Sequence, residues 1–225
     1  MHRYVIIVAG GSGKRIGGAT PKQFIRIKDK PILIHTIKAF KNNIPESEII
    51  LVLPQDQIDT WKNICDDYGF KIQHSLIAGG QTRFHSVKNG LSKVTRKSIV
   101  AVHDGVRPFV NKKTIEKCFE AAENYGAAIP VTEISESVRS VVSGYTRPID
   151  RSNLRLVQTP QVFKSELIKE AYLQDYIPEF TDDASVVEKI GHEIKLVDGN
   201  PENIKITTPY DMWLAGLIAE SKLED

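Results

Sequence analysis

The residues with an evident chemical use start in one short loop. The apolar run Val5-Ile6-Ile7-Val8 and Ala9 give way to Gly10-Gly11-Ser12-Gly13-Lys14-Arg15, and Pro21-Lys22-Gln23 follows closely. Glycines allow a backbone to approach a ligand, so a strand feeding this loop reads as a phosphate cradle. Lys14, Arg15 and Lys22 on or just after it suit a polyphosphate undergoing reaction. Two commoner cradles are excluded. A Walker loop needs Ser or Thr after its Gly-Lys and a glycine in place of Val8, but Arg15 follows Lys14. The dinucleotide fingerprint would need its third glycine at Ile16, and Gly17 comes one residue late. A glycine-rich strand-to-helix turn with solvated cations is the competing reading, and the loop alone leaves both open.

Other candidates lie far along the chain. Ile99-Val100-Ala101-Val102 reads as a buried strand running into His103-Asp104-Gly105-Val106-Arg107-Pro108. Asp104 at the end of such a strand can offer an oxygen to Mg²⁺ facing a nucleotide phosphate. With Arg107 three residues on, a purely structural ion pair is the rival reading. His103 reads as a packed strand-end histidine, since neither HExxH nor GxSxG occurs in the chain. Lys205 interrupts an apolar stretch at Ile204 to Ile206, and either snorkels to solvent or points into a site. Asp150-Arg151 and Gln158-Thr159-Pro160-Gln161 join the list, whereas Thr181-Asp182-Asp183 before Ala184-Ser185 reads as a helix cap with first-turn acids and not as a metal site. His2, His35, His74, His85 and His192 read as structural or exposed. Cys65 and Cys118 stand too far apart for a zinc ribbon or a CxxC pair and read as buried thiols.

The elements that must position these residues alternate. After the loop, Ile32, Leu33, Ile37 and Phe40 have helical spacing behind Pro31, with an end near Asn42-Asn43. Ile49 to Leu53 reads as a strand, Ile58 to Tyr68 as a helix ending near Gly69, and Ile72 to Ile77 as a third strand running into Gly79-Gly80. A helix is expected over Thr82 to Val94, another after an Asn111 cap, and a strand at Ala127 to Val131. Strands alternating with helices of this length predict a mostly parallel sheet covered on both faces, with ligands at the carboxyl ends of its strands. Ser137 to Arg147 breaks the pattern and reads as a hairpin outside that sheet. A lone hairpin is marginal in water, so it is expected to pack on a second subunit of a two-fold dimer. Beyond it, strands are expected at Leu154 to Gln158, Ile194 to Val197 and Ile204 to Ile206, and helices at Ser165 to Tyr172, Ala184 to Ile190 and from Pro209.

The chain has 225 residues, 41% hydrophobic and 26% charged, as expected for one large globular domain. Its apolar runs are strand-sized, far short of a membrane span, and no signal-peptide series opens it, so a soluble cytoplasmic protein is expected. A net charge of +2 argues against a broad nucleic-acid surface.

Taken together and in order, Ala9 to Gly13 with Arg15, Pro21-Lys22-Gln23, His103-Asp104-Gly105 with Arg107-Pro108, Asp150-Arg151, Gln158 to Gln161, Thr181 to Ser185 and Asn203-Ile204-Lys205 resemble the 2-C-methyl-D-erythritol 4-phosphate cytidylyltransferase family. The resemblance implies a Rossmann-like α/β nucleotidyltransferase fold with a protruding β-arm. It also implies one domain over 1–225, a dimerisation arm at about 132–153, and transfer of CMP from CTP to a methylerythritol phosphate with release of pyrophosphate. By the same resemblance, Arg15 and Lys22 stabilise the reacting α-phosphate and Asp104 holds Mg²⁺ or another divalent cation. Gly80 and Ser86 recognise cytosine, while Ala9, Gly10, Gly11, Ser12, Gly13, Gly105 and Lys205 enclose the nucleotide. Arg107, Ser137 and Arg151 serve the acceptor phosphate, Arg151 from the partner subunit. The chain departs from the family in having Glu136-Ser137 where an Asp-Thr pair often enters the arm, and Glu202 is a candidate second metal ligand. Ribitol 5-phosphate cytidylyltransferase is the close alternative, and a non-catalytic nucleotide-binding regulator the remote one.

Overall fold

The computed structural model describes residues 1–10 and 20–221. Gly11, Ser12, Gly13, Lys14 and Arg15 therefore lie outside the described residues. Strand β1 (His2–Val8) enters the core at once, and its Tyr4, Val5, Ile6 and Ile7 are all buried. Burial on both faces is what a continuous apolar run requires. A small β2 (Arg26–Ile27) and β3 (Lys30–Pro31) pair lies between β1 and α1 (Ile32–Asn43). Then come β4 (Glu48–Leu53), α2 (Ile58–Asp67), β5 (Ser75–Ala78), α3 (Arg83–Leu91) and β6 (Ser98–Asp104). The second half holds α4 (Lys112–Tyr125), β7 (Ala127–Thr132), β8 (Val138–Val142), β9 (Tyr145–Ile149), β10 (Leu156–Val157), β11 (Gln161–Lys164), α5 (Ser165–Ala171), α6 (Asp183–Glu188), β12 (Lys195–Asp198) and α7 (Pro209–Ser221).

The main sheet runs β10-β7-β11-β6-β1-β4-β5, with β12 off this path and paired in parallel with β7. β6, β1, β4 and β5 are mutually parallel. β11 is antiparallel to both β6 and β7. The expected mostly parallel α/β sheet is thus present, with β11 as a reversed insert. Two core clusters cover its faces by the period-two rule: Val5, Ile7, Leu51 and Ala101 pack with α1 and α4, whereas Tyr4, Ile6, Ile50, Val52 and Val100 pack with α3, α5 and α6. A third cluster of Ile27, Ile32, Val106, Phe109, Ile206 and Ala215 seats α7.

Helix ends follow the local chemistry. Asn111 Oδ1 accepts from the Thr114 N–H at 2.8 Å, and Gly126, with φ of 96°, ends α4. The sequence reading differs in four places. The third strand starts at Ser75, not Ile72, and α3 stops at Leu91. β11 was not anticipated, and Ile204 to Ile206 lies in no ladder. There the Ile206 N–H donates to the Val106 carbonyl, and Lys205 projects from a strap across the sheet edge. β8 and β9 form their own two-stranded sheet around Ser143-Gly144, as the hairpin reading expects. Among the described residues no helix is long and apolar enough to cross a membrane.

Candidate active site

Four parallel strands end at one cavity of about 500 Å³. Ala9 and Gly10 follow β1, Pro54 and Gln55 follow β4, Gly79 and Gly80 follow β5, and Asp104 closes β6, and all of them line it. The carboxyl edge of a parallel sheet is where backbone N–H groups and strand-end side chains converge on a ligand. Lys22, Thr82, Arg83, Ser86 and Lys205 complete the wall.

Each wall is pinned from behind. Lys22 belongs to a short 3-10 turn over Lys22–Phe24, whose Gln23 is fully buried and donates to Gln57 Oε1. Ala9 N–H donates to the Val52 carbonyl at 2.9 Å and Gly105 N–H to the Val8 carbonyl at 2.8 Å. A Cβ on Gly105 would stand 2.7 Å from that of Ala9, so glycine is what lets the β6 turn close on the β1 turn. At Gly80 a Cβ would meet His85 Cβ at 2.4 Å. Ser86 Oγ accepts from the Gly80 N–H at 3.1 Å and donates to the Thr82 carbonyl at 2.9 Å. Gly80 and Ser86 thus form a single hydrogen-bonded unit on the cavity wall.

The floor is ionic. Asp104 Oδ2 lies 3.1 Å from both Arg107 Nε and Lys205 Nζ, and Oδ1 lies 3.6 Å from Arg83 Nε. Burial by itself would raise the Asp104 pKa, but Arg83, Lys205 and Arg107 outweigh it and hold the carboxyl far below its usual range. It is an anion at any ordinary pH. The two readings of Asp104 and Arg107 therefore converge: the ion pair exists, and it faces a cavity. Arg107 also donates to the Asn203 carbonyl at 2.7 Å, which ties β6 to the strap carrying Lys205. His103 is fully buried, with Nε2 2.9 Å from the Arg107 carbonyl and Nδ1 3.0 Å from Thr159 Oγ1. Burial pushes its pKa down to about 4, which fits the packed role and not that of a base.

Of the residues singled out from sequence, Ala9, Gly10, Lys22, Gly80, Ser86, Asp104 and Lys205 meet at the cavity, with Gly105 and Arg107 directly behind the wall. Ser137 and Arg151 are exposed on and beside the β8–β9 hairpin, where Arg151 donates to the Ser135 carbonyl. Glu202 is exposed and accepts from Asn200 Nδ2 at 3.0 Å, outside the cavity lining. Asp182 caps α6 in a capping box, as expected.

The sequence reading missed Arg83. Its terminal nitrogens make a bidentate pair with Asp183, at 2.9 and 2.6 Å, while its Nε turns to Asp104. Burial opposes the Arg83 charge, but Asp183 and Asp104 overcome it and raise the pKa further. The one available signal was the pairing of an acid in a buried helix start with a lone arginine at another helix start, a hundred residues away.

A divalent cation of the Mg²⁺ kind is bound by one or two carboxylates together with substrate phosphates and waters. Among the described residues no group of three metal-ligating side chains occurs. Among the described residues that line the cavity Asp104 is the one carboxylate, and the cations around it favour its ionised form, so the residues fit an ion that arrives with a polyphosphate.

The profile described as "IspD: 2-C-methyl-D-erythritol 4-phosphate cytidylyltransferase" matches residues 3–221. The curated 2-C-methyl-D-erythritol 4-phosphate cytidylyltransferase of Phocaeicola vulgatus is 51% identical over 97% of this chain and all of its own length. That of Bacteroides thetaiotaomicron is 50% identical over the same shares. Among solved structures, the 4-diphosphocytidyl-2C-methyl-D-erythritol synthase of Anaerococcus prevotii aligns at a TM-score of 0.82 and 28% identity, covering 97% of this chain and 96% of that one. The cytidylyltransferase of Thermus thermophilus aligns at 0.77 and 30%, covering 98% and 100%.

Proposed function

We propose a function from one premise: the chain belongs to the 2-C-methyl-D-erythritol 4-phosphate cytidylyltransferase family. It transfers CMP from CTP to 2-C-methyl-D-erythritol 4-phosphate, giving 4-diphosphocytidyl-2-C-methyl-D-erythritol and pyrophosphate, a step of non-mevalonate isoprenoid synthesis. The observation that carries this reading is the convergence of Lys22, Lys205 and Asp104 on one cavity at the carboxyl edge of the parallel sheet.

The chemistry asks for little beyond position and charge. A phosphate oxygen of the acceptor attacks the α-phosphorus of CTP in line, and the bond to the pyrophosphate oxygen breaks. The acceptor phosphate is already ionised near neutral pH, so no dedicated base is required. Lys22 and Arg15 are assigned to the charge that builds on the α-phosphate, Arg15 by resemblance since it lies outside the described residues. A fixed cation aimed at such charge lowers the barrier by roughly 3 to 4 kcal/mol. Lys205, also on the cavity lining, serves the phosphates. Gly80 and Ser86 form the side assigned to cytosine, and the Ala9 and Gly105 turns set the depth of the nucleotide. Asp104 holds a divalent cation, which when bound neutralises phosphate charge.

We assign Ser137 and Arg151 to the acceptor phosphate across a homodimer, with the segment 132–153 as the exchanged arm. The support is the exposure of Val141, Val142 and Tyr145 on a two-stranded sheet paired with nothing else among the described residues. A cytoplasmic setting completes the reading. Purified protein given CTP and Mg²⁺ is expected to release pyrophosphate with methylerythritol phosphate. Release only with ribitol 5-phosphate would reassign the acceptor, and no release with either would leave a nucleotide-binding protein.

A further inference from the structure

Asp104 is crowded by three cations, yet its two oxygens are treated differently. Oδ2 takes Arg107 and Lys205, both at 3.1 Å. Among the described residues Oδ1 faces only the Nε edge of Arg83, at 3.6 Å, beyond a hydrogen bond. A guanidinium normally prefers a fork on a carboxylate with two N–H groups. Here Arg83 spends that fork on Asp183, at 2.9 and 2.6 Å.

Asp183 is built for this hold. It is completely buried, and its Oδ1 also accepts from Tyr172 Oη at 2.7 Å. The start of α6 that carries it is tied to β11, since Gln161 donates to Asp182 Oδ2 at 2.8 Å and accepts from the Ala184 N–H at 2.9 Å. Arg83 in turn is fixed at the first turn of α3, whose Thr82 cap accepts from the His85 N–H. Two elements a hundred residues apart therefore hold one arginine at a set distance from the cavity floor.

The geometry points to a clamp: Asp183 holds Arg83 off Asp104 Oδ1, keeping that oxygen available to a divalent cation that arrives with the nucleotide. Arg83 lines the cavity but has its terminal nitrogens occupied, so it is a positioning residue and not a phosphate ligand. Without Asp183, the guanidinium would close on Asp104 and compete with the metal. This inference rests on reading the cavity as a site for CTP and a divalent cation.

The test measures CTP binding by calorimetry with and without Mg²⁺, and takes the gain in affinity that Mg²⁺ confers. Asp183→Asn is expected to cut that gain by about tenfold, the low end of what outer partners of metal ligands contribute, while the metal-free affinity holds or rises. Replacing both partners, Arg83→Gln with Asp183→Asn, is expected to restore the gain to within about twofold of the parent protein, since the competitor is gone. The double variant also carries no unpaired buried charge, so it reports even where the single variant does not fold. An undiminished gain in Asp183→Asn, an equal loss of metal-free affinity, or a double variant that stays defective would each overturn the clamp. A parent protein that binds CTP but shows no gain with Mg²⁺ overturns it too, whereas failure to bind CTP at all removes the functional reading beneath it.

Discussion

The cavity floor and the β8–β9 hairpin sit at opposite extremes of the same chain. Asp104 is 7% exposed and has three cations within 3.6 Å, from α3, the β6 turn and the strap at Lys205. Tyr145 is 83% exposed and Val141 68%, on strands that among the described residues pair only with each other. The floor is over-determined, so a change there strains several elements at once. The hairpin is under-determined by one chain, which is what a surface waiting for a second copy would look like. On this contrast, substitutions at the floor should damage catalysis or stability in the single subunit, and substitutions on the hairpin should leave the subunit intact and alter only its assembly.

The largest effect is expected at the wall. Lys22→Ala should lower turnover by about a hundredfold or more with the fold unchanged, because a lost aimed cation costs the transition state more than the ground state. Steady-state kinetics with circular dichroism would check it, and a near-normal rate removes Lys22 from the reaction. Gly105→Ala comes next. Its Cβ would stand 2.7 Å from Ala9 Cβ, so the β1 and β6 turns must part. Overpacking of this kind costs about 1–3 kcal/mol. A matching fall in denaturant midpoint together with weaker CTP binding is the expected outcome, and unchanged stability would show that the floor is softer than it looks.

On the other side of the comparison, Val141→Asp with Tyr145→Asp should shift the protein from dimer to monomer in sedimentation, while the unfolding midpoint of the monomer moves by no more than about 0.5 kcal/mol, as for other exposed sites. If both variant and parent sediment as monomers, the arm needs another partner. If the variant unfolds, the hairpin belongs to its own domain after all.

How much of this was legible in the sequence follows the same division. Asp104, Lys205 and Lys22 could be found because each breaks a local pattern, a charge at the end of or inside an apolar stretch or beside a glycine loop. Gly80 and Ser86 came through resemblance, and the structure joins them by a hydrogen bond. Asp183 was read only as a first-turn acid, and Arg83 and its pairing with Asp183 stayed hidden because each has a sufficient local role, one at the first turn of α3 and one beside the cap of α6, and the pair spans a hundred residues. β11 was missed because Gln161–Lys164 is only four residues, starts after Pro160 and carries a polar residue at each end. It is a strand because β6 and β7 leave a gap between them that it fills, which is tertiary information. The strap at Ile204 to Ile206 is the reverse case: strand-like residues buried by α7 and Val106 without a ladder to join.

The smallest effect sharpens the contrast from a third place, the segment that leads into β5 and so to Gly80. Trp61, fully buried and stacked on Phe24, donates its indole N–H to His74 Nε2 at 2.8 Å, while His74 Nδ1 meets the Ile72 carbonyl at 2.7 Å. That arrangement needs a neutral ring, and burial lowers the His74 pKa from its ordinary 6.5. The folded state therefore binds the proton less readily than the unfolded chain. The contribution is complete above about pH 6.5 and is lost as pH falls below it, where the unfolded ring takes the proton first. His35, also lowered by burial, adds a change of the same sign, so only a difference between proteins isolates His74. His74→Gln keeps an acceptor for Trp61 but cannot titrate. Its stability between pH 7 and 5 should fall less steeply than that of the parent, measured by urea unfolding at each pH, whereas parallel slopes would mean that the ring protonates in place and that this part of the sheet edge yields as readily as the hairpin does.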